Sequence, residues 1–376
     1  MKVMKGRIKI MQNMINKDFD NLPQRSIYYF LATYPSFYPV ETEKANEYEQ
    51  KSAYEFILGI YKNLYGNPML LNIKPAPDDC LNDWQLQKEK AGLAPKIRGI
   101  IAKVDNFVKQ LHQIITDGIP SDENALILGA DNPAVTKQVI KQIENFGIRA
   151  DKIEEKIIFI FPVPVRGLKL LAQISSDIPL VPEKNVHLYF SRGVFDPTAP
   201  WTREIYSNMF GNTGPFEKLF DFLEINDYKR VDIKDYNHGI SLDYIKNYGP
   251  PDEPLKWAWA ERTRGGIEVV YSEIRKNQPS ITMRIPYFTE VLKNADKMSG
   301  QVKNFVTSVS KKCDGCRYCV QTDKTGSRPF IYVDVDEYKI CPLFCGFQYT
   351  WKTIDDELAG NIIAMLEFID SIFAKK

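Results

Sequence analysis

Apolar positions in the first third of the chain recur every three or four residues, the period of an amphipathic helix. In "EKANEYEQKSAYEFILGIYKNLYG" Tyr48, Ala53, Phe56, Ile57, Ile60 and Tyr61 follow that spacing, and Gly66 ends the run. "MLLNIKPAPDD" reads as a short strand running into a proline turn. "PKIRGIIAKVDNFVKQLHQIITDG" predicts a second helix, with Ile97, Ile100, Ile101, Val104, Phe107, Val108, Leu111 and Ile115 on one broad face. His112 sits beside that stripe and reads as a surface or half-buried histidine. In "NALILGADNPAVTKQVIKQIENFG" the pattern gives a short apolar run, a turn and a helix from about residue 133. "KIIFIFPV" is a strand. "NVHLYFSRGVFDPTAPWTREIYSNMFGNTG" predicts a strand, a polar loop and a helix beginning near Pro200, whose missing N–H costs nothing in a first turn. Ser191, Arg192, Asp196, Thr198 and Arg203 are candidate site-lining residues there, with a plain loop as the simpler reading.

"NYGPPDEP", residues 247–254, breaks both helix and strand and is the linker signal. It predicts two domains, a helix-rich α/β domain over 1–249 and an α+β domain over 250–376. Beyond it the period falls to two. "LKWAWAERT" and "GGIEVVYSEIRK" alternate around Gly265 and Gly266, which reads as a hairpin, and "SITMRIPYF" supplies a third strand. "MSGQVKNFVTSVS" is a helix, and so is "TIDDELAGNIIAMLEFIDSIF" with Ile354, Leu358, Ile362, Met365, Leu366, Ile369 and Phe373 on its apolar face. Thr353 and Asp356 there have the spacing of a capping box. The fold class is α+β: a helix-rich N-terminal region, mixed α/β segments, then a C-terminal antiparallel sheet with helices and a Cys-rich metal-binding insertion.

Composition adds limits. The 376 residues, 44% hydrophobic and 26% charged, supply more than one core. Lys plus Arg is 49 against 48 for Asp plus Glu, so no electrostatic footprint marks a nucleic acid or a membrane surface as partner. The N-terminus lacks the continuous apolar core of a secretory signal. "IIFIFPVPV" is the longest apolar run and falls short of a membrane helix. The expected location is cytoplasmic, where clustered cysteines serve as metal ligands or redox centres more often than as disulfides.

Five of the six cysteines lie in one block, Cys313, Cys316, Cys319, Cys341 and Cys345, spaced C-x2-C-x2-C-x21-C-x3-C. A C-x2-C turn sets two sulfurs on one side of a tight loop, and a second pair completes a tetrahedron of thiolates around zinc. Cys341-Pro-Leu-Phe-Cys345-Gly is one residue longer than the usual zinc-ribbon knuckle. Five thiols exceed the need of a four-ligand site by one. An iron–sulfur cluster, whose ligands follow a related rhythm, and a thiol redox switch are the alternatives. His112, His187 and His238 are far from the block in sequence, which favours a closed structural site over a catalytic one.

A second constellation is aromatic. Trp257, Trp259 and Glu261 share one strand face, and Tyr271 and Glu273 share one on the next. Aromatic walls with carboxylates suit a small organic or cationic ligand; the same alternation also marks an ordinary sheet core. "CDGCRYCVQTDKTGSRP", "CPLFCGFQYTW" and the final helix together resemble C-terminal blocks of uncharacterised proteins of anaerobic Gram-positive bacteria, over about the last third of the chain. That resemblance brings no activity with it. The sequence displays neither a nucleophile–base pair nor an open metal site. The functional expectation is therefore a small-molecule-binding or regulatory module with a structural zinc; the alternative is an enzyme whose catalytic groups are distant in sequence and adjacent only in space.

Overall fold

The structure is a computed structural model that describes residues 21–75, 83–178, 187–211, 213–232, 239–249, 264–272, 278–310, 312, 333–336, 338–340 and 348–373. Helices and antiparallel sheets are both present, and the fold is α+β. Two compact units divide the chain, one of Met1–Ile205 with Ser272–Asn277, the other of Tyr206–Tyr271 with Gln278–Lys376.

In the first unit α1 (Leu22–Ala32), α2 (Glu47–Gly66) and α3 (Asp83–Asp117) share a core. The predicted stripe of α3 is buried from Ile97 to Ile115, with only Ile100 half-exposed. On α2, Ala53, Ile57, Ile60 and Tyr61 face inward as the period requires, whereas Tyr48 is 70% exposed. An Asn46–Glu49 capping box starts α2 there: the Glu49 N–H donates to Asn46 Oδ1 (3.0 Å) and the Asn46 N–H to Glu49 Oε2 (2.8 Å). "MLLN" forms a 3-10 turn, Pro68–Leu71, instead of a strand; Asn67 Oδ1 accepts from the Met69 N–H, and Pro68 has the φ a helical turn needs.

A four-stranded antiparallel sheet follows in the order β1-β2-β4-β3, built from β1 (Ile119–Asp122), β2 (Ala125–Gly129), β3 (Arg149–Ile153) and β4 (Lys156–Ile160). Between β2 and β3 lies α4 (Lys137–Glu144), capped by Thr136, whose Oγ1 accepts from the Val139 N–H at 3.2 Å. Helix α5 (Val165–Asp177) buries Leu168, Leu171 and Ala172. It lies so close to α2 that a Cβ on Gly167 would stand 2.0 Å from the Glu49 carbonyl oxygen, so only glycine fits. The predicted strand at "HLYFS" is instead one helical turn, α6 (Leu188–Ser191). Helix α7 (Trp201–Phe210) follows Pro200, as expected, and the division between the units falls within it.

The second unit holds α8 (Thr213–Ile225) and a five-stranded sheet in the order β11-β8-β7-β6-β5. Its strands are β5 (Lys229–Asp232), β6 (Gly239–Asn247), β7 (Arg264–Ser272), β8 (Gln278–Arg284) and β11 (Gln348–Trp351). Strands β6 and β7, which flank the proline-rich stretch, are neighbours in this sheet. Gly265 and Gly266 lie inside β7 rather than in a turn. At φ +139° Gly266 passes the Tyr244 carbonyl so closely that a Cβ would clash with it. Helices α9 (Phe288–Lys293) and α10 (Gly300–Val309), the antiparallel pair β9 (Val333–Val335) and β10 (Tyr338–Ile340), and α11 (Asp356–Phe373) complete the unit. Helix α11 packs on α8 and α10 and buries Ile362, Met365, Leu366 and Ile369. Its cap is Asp355, whose Oδ1 accepts from the Leu358 N–H at 2.8 Å; the Thr353–Asp356 pairing expected from spacing does not form the cap.

Candidate functional site

The residues that the sequence singles out most strongly lie outside the described part. This applies to Cys313, Cys316, Cys319, Cys341 and Cys345, to Trp257, Trp259, Glu261 and Glu273, to His238, and to the side chain of Tyr271. Among the described residues no group of three or more His, Cys, Asp or Glu is placed to hold a metal. Lys312 and Ile340, which immediately precede Cys313 and Cys341 in sequence, face each other in an antiparallel bridge.

Two of the loop candidates, Ser191 and Arg192, turn out to be core. Arg192 is only 2% exposed, and its guanidinium lies 5.0 Å from the ring centres of both Tyr29 and Phe30. Its Nη1 donates to the Phe30 carbonyl at 3.1 Å. The Ser191 carbonyl accepts from Tyr61 Oη at 2.8 Å, and burial pushes the Tyr61 hydroxyl well above its ordinary pKa. Asp196 Oδ1 accepts from the Thr198 N–H and hydroxyl at 2.8 and 2.7 Å, a local turn. Arg203 is half-buried on α7.

His112 is buried, at 3% exposure, rather than superficial. Its Nε2 lies 3.3 Å from the Ala172 carbonyl and 3.4 Å from Ser176 Oγ. Desolvation lowers its pKa to about 4, so the ring is neutral at pH 7. The Ala172 carbonyl requires Nε2 to carry the proton. Ser176 Oγ in turn donates to that same carbonyl at 3.0 Å, so this serine–histidine contact is not a nucleophile facing a base. His187 Nε2 is held by Asp105 Oδ1 at 2.8 Å.

Beside this pair runs a groove of about 560 Å³ along one face of α5. Arg166, Lys169, Leu170, Gln173, Ser176 and Asp177 line it at helical spacing, joined by Lys44, Thr116 and Pro120. That volume suits a small molecule. Each cation is held in place. Arg166 donates from Nε to the Lys44 carbonyl (3.0 Å) and from Nη2 to the Glu43 carbonyl (2.9 Å), with Nη1 3.6 Å from Glu49 Oε1. Lys169 Nζ donates to the carbonyls of Thr116 and Gly118, both at 2.9 Å, at the C-terminal end of α3. Burial lowers the Lys169 pKa, and the Asp117 carboxylate opposes that shift. Lys44 Nζ donates to Gln173 Oε1 at 2.9 Å.

The charge order along α5 runs against its own dipole. Arg166 stands in the first turn, Asp177 is the last residue, and there is neither an acidic first turn nor a basic last one. Each misplaced charge costs roughly 0.3–1 kcal/mol of helix stability. Tertiary contacts offset that cost: Arg166 holds the Glu43 and Lys44 carbonyls and pairs with Glu49, and Lys169 holds the carbonyls at the end of α3. Sequence reasoning missed this site because its cations come from a loop and a helix more than a hundred residues apart, Lys44 and Arg166. The only signal in sequence was the reversed charge order on α5.

The second unit has a polar cluster that sequence reasoning also missed. Tyr228 Oη and Tyr248 Oη share a hydrogen bond of 2.7 Å, and Tyr248 Oη donates to Asp370 Oδ1 at 2.7 Å. Lys246 Nζ stands 3.1 Å from that carboxylate and 5.1 Å from the centre of the Tyr228 ring. Burial pushes both tyrosine hydroxyls far up in pKa, so they stay neutral and bind α11 to the sheet. No helix among the described residues is long and apolar enough to cross a membrane. No protein-family profile, curated protein or solved structure matches the chain.

Proposed function

We propose that the chain is a binding or regulatory module for a small molecule, with its ligand in the groove along α5 and its five-cysteine block held by a structural zinc. The observation that carries the ligand reading is the groove itself. It combines small-molecule volume, an apolar floor at Leu170 and Pro120, and side-chain charges fixed in advance by carbonyl oxygens. Pre-fixed polar groups lower the ordering cost of binding. The zinc reading rests on cysteine spacing, and the Lys312–Ile340 bridge supports it by joining the two chain segments that lead into the cysteine groups.

Two measurements test these readings. Ligand-observed NMR with a panel of anionic, neutral and cationic fragments should find binders that are lost in Gln173→Trp, where an indole fills the groove from an exposed position. A panel that binds nowhere, or binds equally well to Gln173→Trp, rejects the ligand reading. Elemental analysis of the purified protein should give stoichiometric zinc. Iron together with acid-labile sulfide would replace zinc by a cluster, and absence of both would leave the thiols free.

A further inference from the structure

We propose that the groove along α5 is a site for a small organic phosphate, with the phosphate at the Lys44–Arg166–Lys169 end and an apolar body over Leu170 and Pro120. This rests on the small-molecule reading above and narrows its ligand to one chemical class.

The supply of hydrogen-bond donors calls for an acceptor-rich ligand. An ammonium has three N–H groups and a guanidinium five. Lys44 uses one on Gln173, and Lys169 uses two on the carbonyls of Thr116 and Gly118. Unused N–H groups remain on both lysines among the described residues, and their acceptors are neutral, so their charge is not cancelled by a bonded carboxylate. Such a cluster calls for a ligand rich in acceptors and negative in charge.

The state of Arg166 separates phosphate from carboxylate. A carboxylate is recognised best by the planar fork of an arginine, which gives two parallel hydrogen bonds. The Arg166 fork is already spent: Nε and Nη2 hold the Lys44 and Glu43 carbonyls, and Nη1 faces Glu49. With the Arg166 charge paired to Glu49, what remains is two point-like ammonium donors from different elements, Lys44 on a loop and Lys169 on α5. That set fits a tetrahedral dianion, which accepts from several directions, better than a flat monoanion. The positive end of the α5 dipole adds to the same field.

The length of the groove limits the size of its ligand. From Arg166 to Asp177 the groove follows twelve residues of helix, a rise of about 16 Å at 1.5 Å per residue. Asp177 closes the far end with negative charge. A nucleic acid or another extended polyanion would meet repulsion there, and the whole chain carries almost no excess of positive charge, 49 basic against 48 acidic residues.

The test uses the full-length protein with phenyl phosphate, inorganic phosphate, benzoate, phenol and benzylamine as probes. Binding is read by calorimetry, and hydrogen exchange of residues 165–177 reports the location. Phenyl phosphate should bind tightest and slow exchange in α5. Lys44→Gln, at an exposed loop position, should weaken it about tenfold. Asp177→Asn should tighten it a few-fold, and raised salt should weaken it. Phenyl phosphate binding that is unchanged in Lys44→Gln, or benzoate binding as tight as phenyl phosphate, overturns the phosphate assignment. Phenol or benzylamine slowing α5 exchange where phenyl phosphate does not also overturns it, but leaves the small-molecule reading standing. If none of the probes slows exchange in α5, the phosphate assignment falls, and the wider fragment panel with Gln173→Trp then decides whether the groove binds any ligand.

Discussion

The two compact units both set helices beside an antiparallel sheet, but they close their sheets over very different lengths of chain. In the first, all four strands come from residues 119–160, and each pairs with a partner a short way along the chain. In the second, β11 reaches back to β8, with Ile281 opposite Trp351 and Arg284 opposite Gln348. The connection between them carries α9, α10, the β9–β10 pair and all five clustered cysteines. Closing such a long loop costs only about 0.6 kcal/mol more per doubling of length, but it is entropy that a cross-link removes. The second unit also fastens its closure with polar side chains. Thr282 and Thr350, directly opposite in register, share a 2.9 Å hydrogen bond. Ser310 bonds Tyr349, and Tyr338 Oη donates to the Ser310 carbonyl at 2.9 Å. In the first unit the strand pairing is local, and long-range contacts are made by its helices, as where α5 meets α2. Where pairing is remote, the second adds hydrogen-bonded links and, on the zinc reading, a metal clasp.

Metal removal is the strongest way to break this comparison. Structural zinc contributes on the order of 10 kcal/mol to small metal-dependent domains. Chelation should therefore raise amide exchange in β8 and β11 towards that of an unfolded chain, while α2 and α5 keep their protection. Equal loss in both units, or loss in neither, ends the idea of a clasp specific to the second.

An intermediate effect comes from acid and belongs to the first unit. His112 is buried and neutral, with its pKa lowered from 6.5 to about 4, chiefly by burial and also by the charge of His187, against opposing influences from the Ala172 carbonyl and Asp117. Below pH 6.5 the unfolded chain takes up a proton that the folded one refuses. Stability therefore falls as pH drops from about 6.5 towards 4, by up to about 3 kcal/mol, and this contribution stops changing below that. Urea titrations across that range should show the slope in the first unit, and His112→Gln should flatten it. A variant as pH-sensitive as the parent would show that other groups carry the acid response.

The smallest effect lies at a helix end in the second unit. Asp355→Ala removes the cap of α11 and should lower stability by about 1 kcal/mol. Thr353→Ala should stay within about 0.5 kcal/mol. Comparable losses from both would restore the capping box that the sequence spacing suggested. A matched urea titration of the two variants decides it.

What could be read in advance followed period. The stripes of α2, α3 and α11 and the apolar run of β4 are one-sided patterns, because one face of each meets a core and the other meets water. Those patterns are enough for the α+β class and for most of the helices. Where no such contrast exists, nothing showed. Strand β1 is exposed at all four positions and β3 is largely so; both are strands because β2 and β4 offer them backbone partners. "HLYFS" has strand-like residues but is buried on more than one side, a setting in which alternation does not distinguish strand from helix.

The sites divide the same way. The cysteine block is legible because its candidate ligands lie close together in sequence, so spacing alone marks them. The groove along α5 depends on tertiary structure. Gly167 lets α5 press against α2, Glu49 and the Glu43–Lys44 carbonyls then orient Arg166, and the end of α3 orients Lys169. The Tyr228–Tyr248–Asp370 link likewise joins a residue just before β5, the end of β6 and the last helix. Each of these side chains is an unremarkable surface or strand residue in sequence. Only packing brings their charges and hydroxyls within hydrogen-bond reach, because that distance is set by the path of the whole chain rather than by neighbours along it.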